Sequence, residues 1–171
     1  TNPDKVEVTM LKPFILVVDG KISSVEEVMT TLEPVSTTGR PLLIIAEDVT
    51  GQALSTLVMN KTRGGLELAA VKAPGFGNYR TETLRDIAAI VGAEVVKAED
   101  LTKVDGSMLG TAEVVSCTNL NTIIMGGEKD DEAIERRKTQ IDNALKVGKL
   151  TEYEIGKLEE RRTKLSGGVA V

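Results

Sequence analysis

Histidine and tryptophan are absent from the 171 residues, cysteine occurs once, and aromatic side chains make up 2% of the chain. Each absence removes a class of chemistry. Without imidazole there is no Ser-His or Cys-His nucleophile pair and no His-based zinc site, and a lone thiol cannot build a thiolate metal centre. Cys117 cannot form an internal disulfide, which fits a reducing compartment. Too few rings remain to stack nucleic-acid bases, and no basic tract interrupts the mildly acidic balance of −5, so nucleic acid is not an expected partner. No apolar run reaches a transmembrane length and no signal peptide is visible, so neither membrane insertion nor secretion is expected. Carboxylate and lysine chemistry survive these exclusions, but nothing in the sequence points to them.

What the chain does have is a dense aliphatic centre. Leu42-Leu43-Ile44-Ile45-Ala46 is an unbroken apolar run and reads as a buried strand. Glu47-Asp48-Val49 and Gly51 end it, and the following stretch to Arg63 reads as a helix. At about 100° per residue, Ala53, Leu57, Leu54 and Val58 cover one broad face and Met59 extends it round the cylinder. A surface helix needs an apolar stripe only somewhat wider than ~100°. Ala53 and Leu57 can face inward, but Leu54, Val58 and Met59 cannot all follow. An apolar strip left outside marks a binding site or an interface; the competing reading is core packing against the C-terminal helices.

In chain order, Val6–Met10 alternates and suggests an edge strand, and Phe14–Val18 is a second strand closed by Asp19-Gly20. Ser24 and Glu27 have capping-box spacing. The helix they open puts Val25, Val28, Leu32 and Val35 on its inward face, with Met29 at the margin, and Gly39 and Pro41 stop it. Leu66–Val71 reads as a third buried strand, and Ala73-Pro74-Gly75-Phe76-Gly77 as a rigid turn; no Gly-Lys-Ser/Thr follows, which argues against a phosphate loop. Arg80–Val91 is a helix, followed by short strands at Glu94–Lys97, Glu113–Cys117 and Thr122–Met125. From Asp130 the chain is charged helix: Ile134, Ile141 and Leu145 mark one face, Gly148-Lys149 breaks the run, and Thr151 with Glu154 opens a second helix bearing Ile155, Leu158 and Leu165. The expected fold is mixed α/β, a β-sheet core flanked by helices with a C-terminal antiparallel helix pair packed on it.

Three stretches carry a family resemblance: Leu42–Val49, Ala70–Gly77 and Lys164–Val171. Intervening pieces match too, including Leu57-Val58-Met59-Asn60-Lys61 and Asp86-Ile87-Ala88. Together they resemble the apical domain of a group I, GroEL-type chaperonin in order over nearly the whole chain, and Thr1–Lys5 leans towards plastid-type or cyanobacterial-like members. The resemblance implies one apical domain over residues 1–171, with 128–166 a helical hairpin and 167–171 leading through a hinge at Gly167 and Gly168 to an intermediate domain outside the chain. The closing Gly167-Gly168-Val169-Ala170-Val171 reads as the start of another strand, so a piece of a longer protein is expected.

The function implied is capture of non-native polypeptides, and of the mobile loop of a GroES-type co-chaperonin, in a groove between helices 24–38 and 51–63. By the resemblance, the apolar binding positions are Met29, Leu32, Leu54, Val58 and Met59, with Glu33, Asn60 and Arg63 as polar neighbours. Gln52 stands where the family often has Glu. ATP and Mg would belong to other domains of a heptameric parent ring, so the fragment itself is expected to hold no cofactor or metal, to be no enzyme, and to be monomeric or weakly associating. The implied compartment is a bacterial cytoplasm, a plastid stroma or a mitochondrial matrix.

Two other classes stay open on the residues. Glu47 and Asp48, at a strand's C-terminal end, could serve a small carboxylate enzyme. The apolar helix face could instead be a permanent subunit interface in a structural oligomerisation domain. Asp130-Asp131-Glu132 reads as acids complementing a helix macrodipole rather than as a cation site, and Cys117 as a small buried hydrophobe.

Overall fold

The computed structural model describes residues 7–63, 67–73, 77–103, 108–118, 122–126 and 130–167, without the side chains at 7, 28, 31, 60–63 and 167. In chain order the elements are β1 (Glu7–Leu11), β2 (Phe14–Asp19), β3 (Lys21–Ile22), α1 (Val25–Ser36), β4 (Leu42–Ala46), β5 (Asp48–Val49), α2 (Gly51–Arg63), β6 (Leu68–Lys72), α3 (Gly77–Val91), β7 (Val95–Lys97), a 3-10 helix (Ala98–Lys103), β8 (Gly110–Thr111), β9 (Val114–Thr118), β10 (Thr122–Met125), α4 (Asp131–Lys146) and α5 (Glu152–Gly167).

The central sheet has the order β6-β4-β2-β7, all parallel, and β8 adds antiparallel to the start of β2. Its two middle strands are covered on both faces. Ile15, Val17, Leu43 and Ile45 enter one core, and Leu16, Val18, Leu42 and Ile44 enter the other. That double burial is why both strands are unbroken apolar runs in the sequence. The second core lies under α1 and α2 through Leu32, Val35, Ala53 and Leu57. The first lies under α3, α4 and α5 through Leu84, Ile87, Ile134, Ile141 and Leu165, and also takes the inner row of a separate antiparallel sheet, β1-β9-β10. In that row Met10 faces Val115, which faces Ile124, and all three are buried.

Several sequence expectations need correction. Leu66–Val71 was expected as a buried strand; β6 runs Leu68–Lys72 at the sheet edge, where Ala70 and Lys72 are exposed, and Leu66 lies outside the described residues. Val25, placed on the inward face by its spacing, is 37% exposed, because it is the first residue of α1 and the first turn overhangs the core. Ile155, in the first turn of α5, is exposed for the same reason. Helix α1 ends at Ser36 rather than Thr38, since the hydroxyls of Ser36, Thr37 and Thr38 donate to the carbonyls of Glu33, Pro34 and Val35 and satisfy the helix end. The two-residue strands β3, β5 and β8 are too short to leave a periodic signal. Residues 74–76 of the expected turn lie outside the described residues.

Both capping boxes form. Glu27 N donates to Ser24 Oγ at 3.2 Å and Ser24 N to Glu27 Oε2 at 3.2 Å. At α5, Glu154 N donates to Thr151 Oγ1 at 3.2 Å and Thr151 N to Glu154 Oε2 at 2.8 Å. The α4–α5 pair docks on α3 through buried charges. Asp86 accepts from Arg137 Nε at 2.9 Å and from Arg161 Nε at 2.6 Å, and Glu82 accepts from Arg137 Nη2. Burial works to raise the Glu82 carboxyl, but the Arg137 hydrogen bond and the charges of Arg137, Arg85 and Arg161 outweigh it and hold it below its ordinary value. Burial opposes charge on Arg137 too, and the Glu82 and Asp86 hydrogen bonds prevail, so it is raised.

Candidate functional site

Local pairing sets α1 and α2 side by side. β3 and β5 form a two-stranded parallel clip, Lys21 opposite Asp48 and Ile22 opposite Val49. Thr50 N then donates to Ile22 O at 2.9 Å, and Gly51, at φ +59°, turns the chain into α2 where a side chain would be strained. Ser24 opens α1 at nearly the same level. Two helices launched from one clip run in the same sense, and they pack against each other.

Burial then separates the apolar residues of α2. Ala53 and Leu57 are 0% and 2% exposed, whereas Leu54, Val58 and Met59 are 47%, 56% and 51% exposed. The structure therefore leaves outside the three residues that helical spacing could not turn inward. At about 100° per residue, Leu54 and Val58 share one flank of α2, and Met59 lies roughly 100° further round. On α1, Met29 is 47% exposed and Glu33 is exposed. Leu32 differs: at 3% exposure it is packed in the core, so it supports the face from beneath and offers it no surface. Val25, one turn before Met29, joins the exposed face instead. The signal that could have found it is its position directly after the cap, where a first-turn residue has little core to reach. The side chains of Asn60 and Arg63 lie outside the described residues, Gly167 is the last residue of α5, and Gly168 is not described.

A second set of exposed apolar side chains lies on the outer face of the β1-β9-β10 sheet. Leu11, Val114 and Met125 stand in one row across the three strands, with Ile123 in the next row. Leu11 is 67% and Met125 44% exposed.

Among the described residues, the places where a small-molecule site would be expected are filled or engaged. In parallel α/β sheets ligands bind beyond the strands' C-terminal ends, where successive connections diverge to opposite sides. That point falls between β2 and β7, and the 3-10 helix Ala98–Lys103 occupies it, with Leu101 1% exposed against the α1 core. The packing is close enough that a Cβ on Gly20 would sit 2.8 Å from Ala98 Cβ. Glu47 pairs with Arg80 at 3.2 Å, and Asp48 Oδ1 accepts from Val49 N at 2.9 Å with Lys72 3.9 Å away. A cavity between α3 and α5, lined in part by Tyr79, Asp86 and Arg161, measures about 20 Å³, room for one water rather than a substrate. Among the described residues no group of three or more Cys, Asp or Glu could hold a metal, and no helix is long and apolar enough to cross a membrane. Asp130 serves as the N-cap of α4, accepting from Ala133 N at 3.0 Å. Burial in β9 raises the Cys117 thiol, against a hydrogen bond to Thr122 that lowers it.

No family model matches the chain. Among solved structures, the fold is similar to that of the chaperonin gp146 from the bacteriophage EL 2 (Pseudomonas aeruginosa), crystallised in the presence of ATP-BeFx, with a TM-score of 0.69 at 21% sequence identity. The match covers 93% of this chain and 32% of that one, so the chain spans about a third of the length of its structural relative. The architecture described above is accordingly a chaperonin-like α/β fold.

Proposed function

We propose that this chain is the polypeptide-capturing, apical part of a group I-type chaperonin. It binds apolar segments of non-native polypeptides, and the mobile loop of a GroES-type co-chaperonin, on the face formed by Met29, Leu54, Val58 and Met59. The observation that carries this reading is the exposure of these four side chains, each about half open on two adjacent helices whose inward residues Leu32, Val35, Ala53 and Leu57 are buried. The chaperonin-like fold supports it. Full burial of an aliphatic side chain contributes about 1.5–3 kcal/mol, and these are already half covered, so ordering costs leave a weak single-site affinity. A heptameric ring overcomes this by offering one unfolded chain several grooves at once. Thioethers at Met29 and Met59 repack around differently shaped partners. On this reading ATP and Mg act in other domains of the parent, the fragment performs no catalysis, and the setting is a bacterial cytoplasm, plastid stroma or mitochondrial matrix.

The test is a fluorescence-anisotropy titration of a labelled apolar peptide against the parent and a folded Leu54→Ser/Val58→Ser variant. Saturable binding by the parent that the variant loses supports capture on α2. A Leu11→Thr/Met125→Thr variant is the control, and loss there instead moves the site to the outer face of the β1-β9-β10 sheet. Concentration-dependent self-association of the parent, abolished in the α2 variant, would replace capture by a subunit-interface role.

A further inference from the structure

Among the described side chains of α1 and α2, charge is of one sign. Helix α1 contains Glu26, Glu27 and Glu33 and no basic residue. Glu27 is committed to the capping box, where its Oε2 accepts from Ser23 N and Ser24 N. Glu26 and Glu33 are exposed and pair with no cation among the described residues. They lie three residues before and four residues after Met29, the spacings that make residues neighbours on a helix surface. Met29 is thus bracketed on its exposed side by two carboxylates with no cation beside them among the described residues. On α2 the exposed described side chains are Gln52, Leu54, Ser55, Val58 and Met59, none of them charged. The 3-10 helix that packs on α1 adds exposed Glu99, while its Asp100 and Lys103 pair with each other at 3.0 Å.

Position makes Glu33 informative beyond its sign. It lies in the last turn of α1, where the helix macrodipole is negative and a carboxylate is disfavoured, and that turn holds no basic residue to offset it. Folding alone gives no reason for an acid at this place. A cationic group arriving from outside would relieve both unfavourable terms.

We propose that the face selects, among apolar segments, those flanked by lysine or arginine, with Glu26 and Glu33 as the groups that read the flanking charge. The proposal rests on the capture reading above and adds a charge preference to it. Exposed ion pairs are individually small, about two- to fivefold in affinity each, and are screened at moderate salt. They would rank segments of similar hydrophobicity rather than create binding.

Three labelled peptides with one apolar core, flanked on each side by Lys, Gln or Glu, test it by anisotropy at 25 and 300 mM salt (about 20 and 6 Å of screening length). Parent protein should bind the Lys-flanked peptide about fivefold more tightly than the Gln-flanked one, and the Glu-flanked peptide more weakly still. The spread should shrink at the higher salt. A Glu26→Gln/Glu33→Gln variant, with unchanged circular dichroism, should bind all three with the affinity of the Gln-flanked peptide. Equal affinities in the parent, or a preference that survives in the variant, overturn the charge preference while capture stands. Failure of the parent to bind any of the three overturns both.

Discussion

On one face of the central sheet, α3 meets α4 and α5 through Asp86 and Arg161, which are 4% and 7% exposed and fully paired. On the other face, α1 and α2 leave Met29, Leu54, Val58 and Met59 about half exposed, bordered by Glu26 and Glu33, which pair with no cation among the described residues. The same sheet thus carries one layer closed by buried, paired charges, whose exposed apolar side chains Val147, Tyr153 and Ile155 lie at the α4–α5 turn, and one layer with an open apolar face across two helices. In the first, charges are taken out of water and compensated by partners on three helices. In the second, apolar area stays in water at a standing cost of about 25 cal/mol per Å².

The largest expected effect breaks the closed layer. Asp86→Ala leaves the guanidiniums of Arg137 and Arg161 buried without their shared carboxylate, which should cost about 3–5 kcal/mol in urea unfolding. Leu54→Ser/Val58→Ser, on the open layer, should change stability by no more than about 0.5 kcal/mol per site. Similar losses in the two variants would mean that the layers do not differ in the way proposed.

A sharper version uses neighbouring residues of α2. Leu57 is 2% exposed in the core beneath the helix and Val58 is 56% exposed above it. Leu57→Ala should cost about 2–5 kcal/mol through lost transfer energy and a residual cavity, whereas Val58→Ala should cost under about 0.5 kcal/mol. In the peptide titration the order should reverse, with Val58→Ala weakening binding and Leu57→Ala, where folded, leaving it nearly unchanged. The crossed pattern is what separates a binding position from a core position on one helix.

The open layer was legible in the sequence because helical geometry is arithmetic. Ala53, Leu57, Leu54, Val58 and Met59 span too much of the cylinder to be buried together, whatever the tertiary structure. Strands β2 and β4 were legible because burial on both faces leaves an unbroken apolar run. The closed layer was not. Asp86, Arg137 and Arg161 are separated by 51 and 75 positions in their pairings, and local periodicity carries no information about charges that meet across such distances. Leu32 failed for a related reason: its spacing fits both the inward face and the groove margin, and only packing against Leu101 and the sheet decides for the core. The β3–β5 clip, which fixes how α1 and α2 sit beside each other, is two residues per strand and below the length at which alternation can be read.

The smallest expected effect probes the closed layer by titration. Glu82 is held below the ordinary carboxylate value in the folded protein by Arg137, Arg85 and Arg161 acting against its burial. A folded value below the unfolded one means that Glu82 contributes stability fully at pH above its unfolded value, near 4.5. That contribution is lost as pH falls through the folded value. Glu82→Gln should therefore be less stable than the parent by a constant margin from pH 8 down to about 5, and the margin should close below that as the parent's carboxyl takes up its proton. Leu54→Ser/Val58→Ser touches none of these charges, so its stability should run parallel to the parent's over the whole range. A Glu82→Gln margin that persists unchanged to pH 3 would mean that the side chain contributes through packing, and the closed layer would then owe its closure to Asp86 alone.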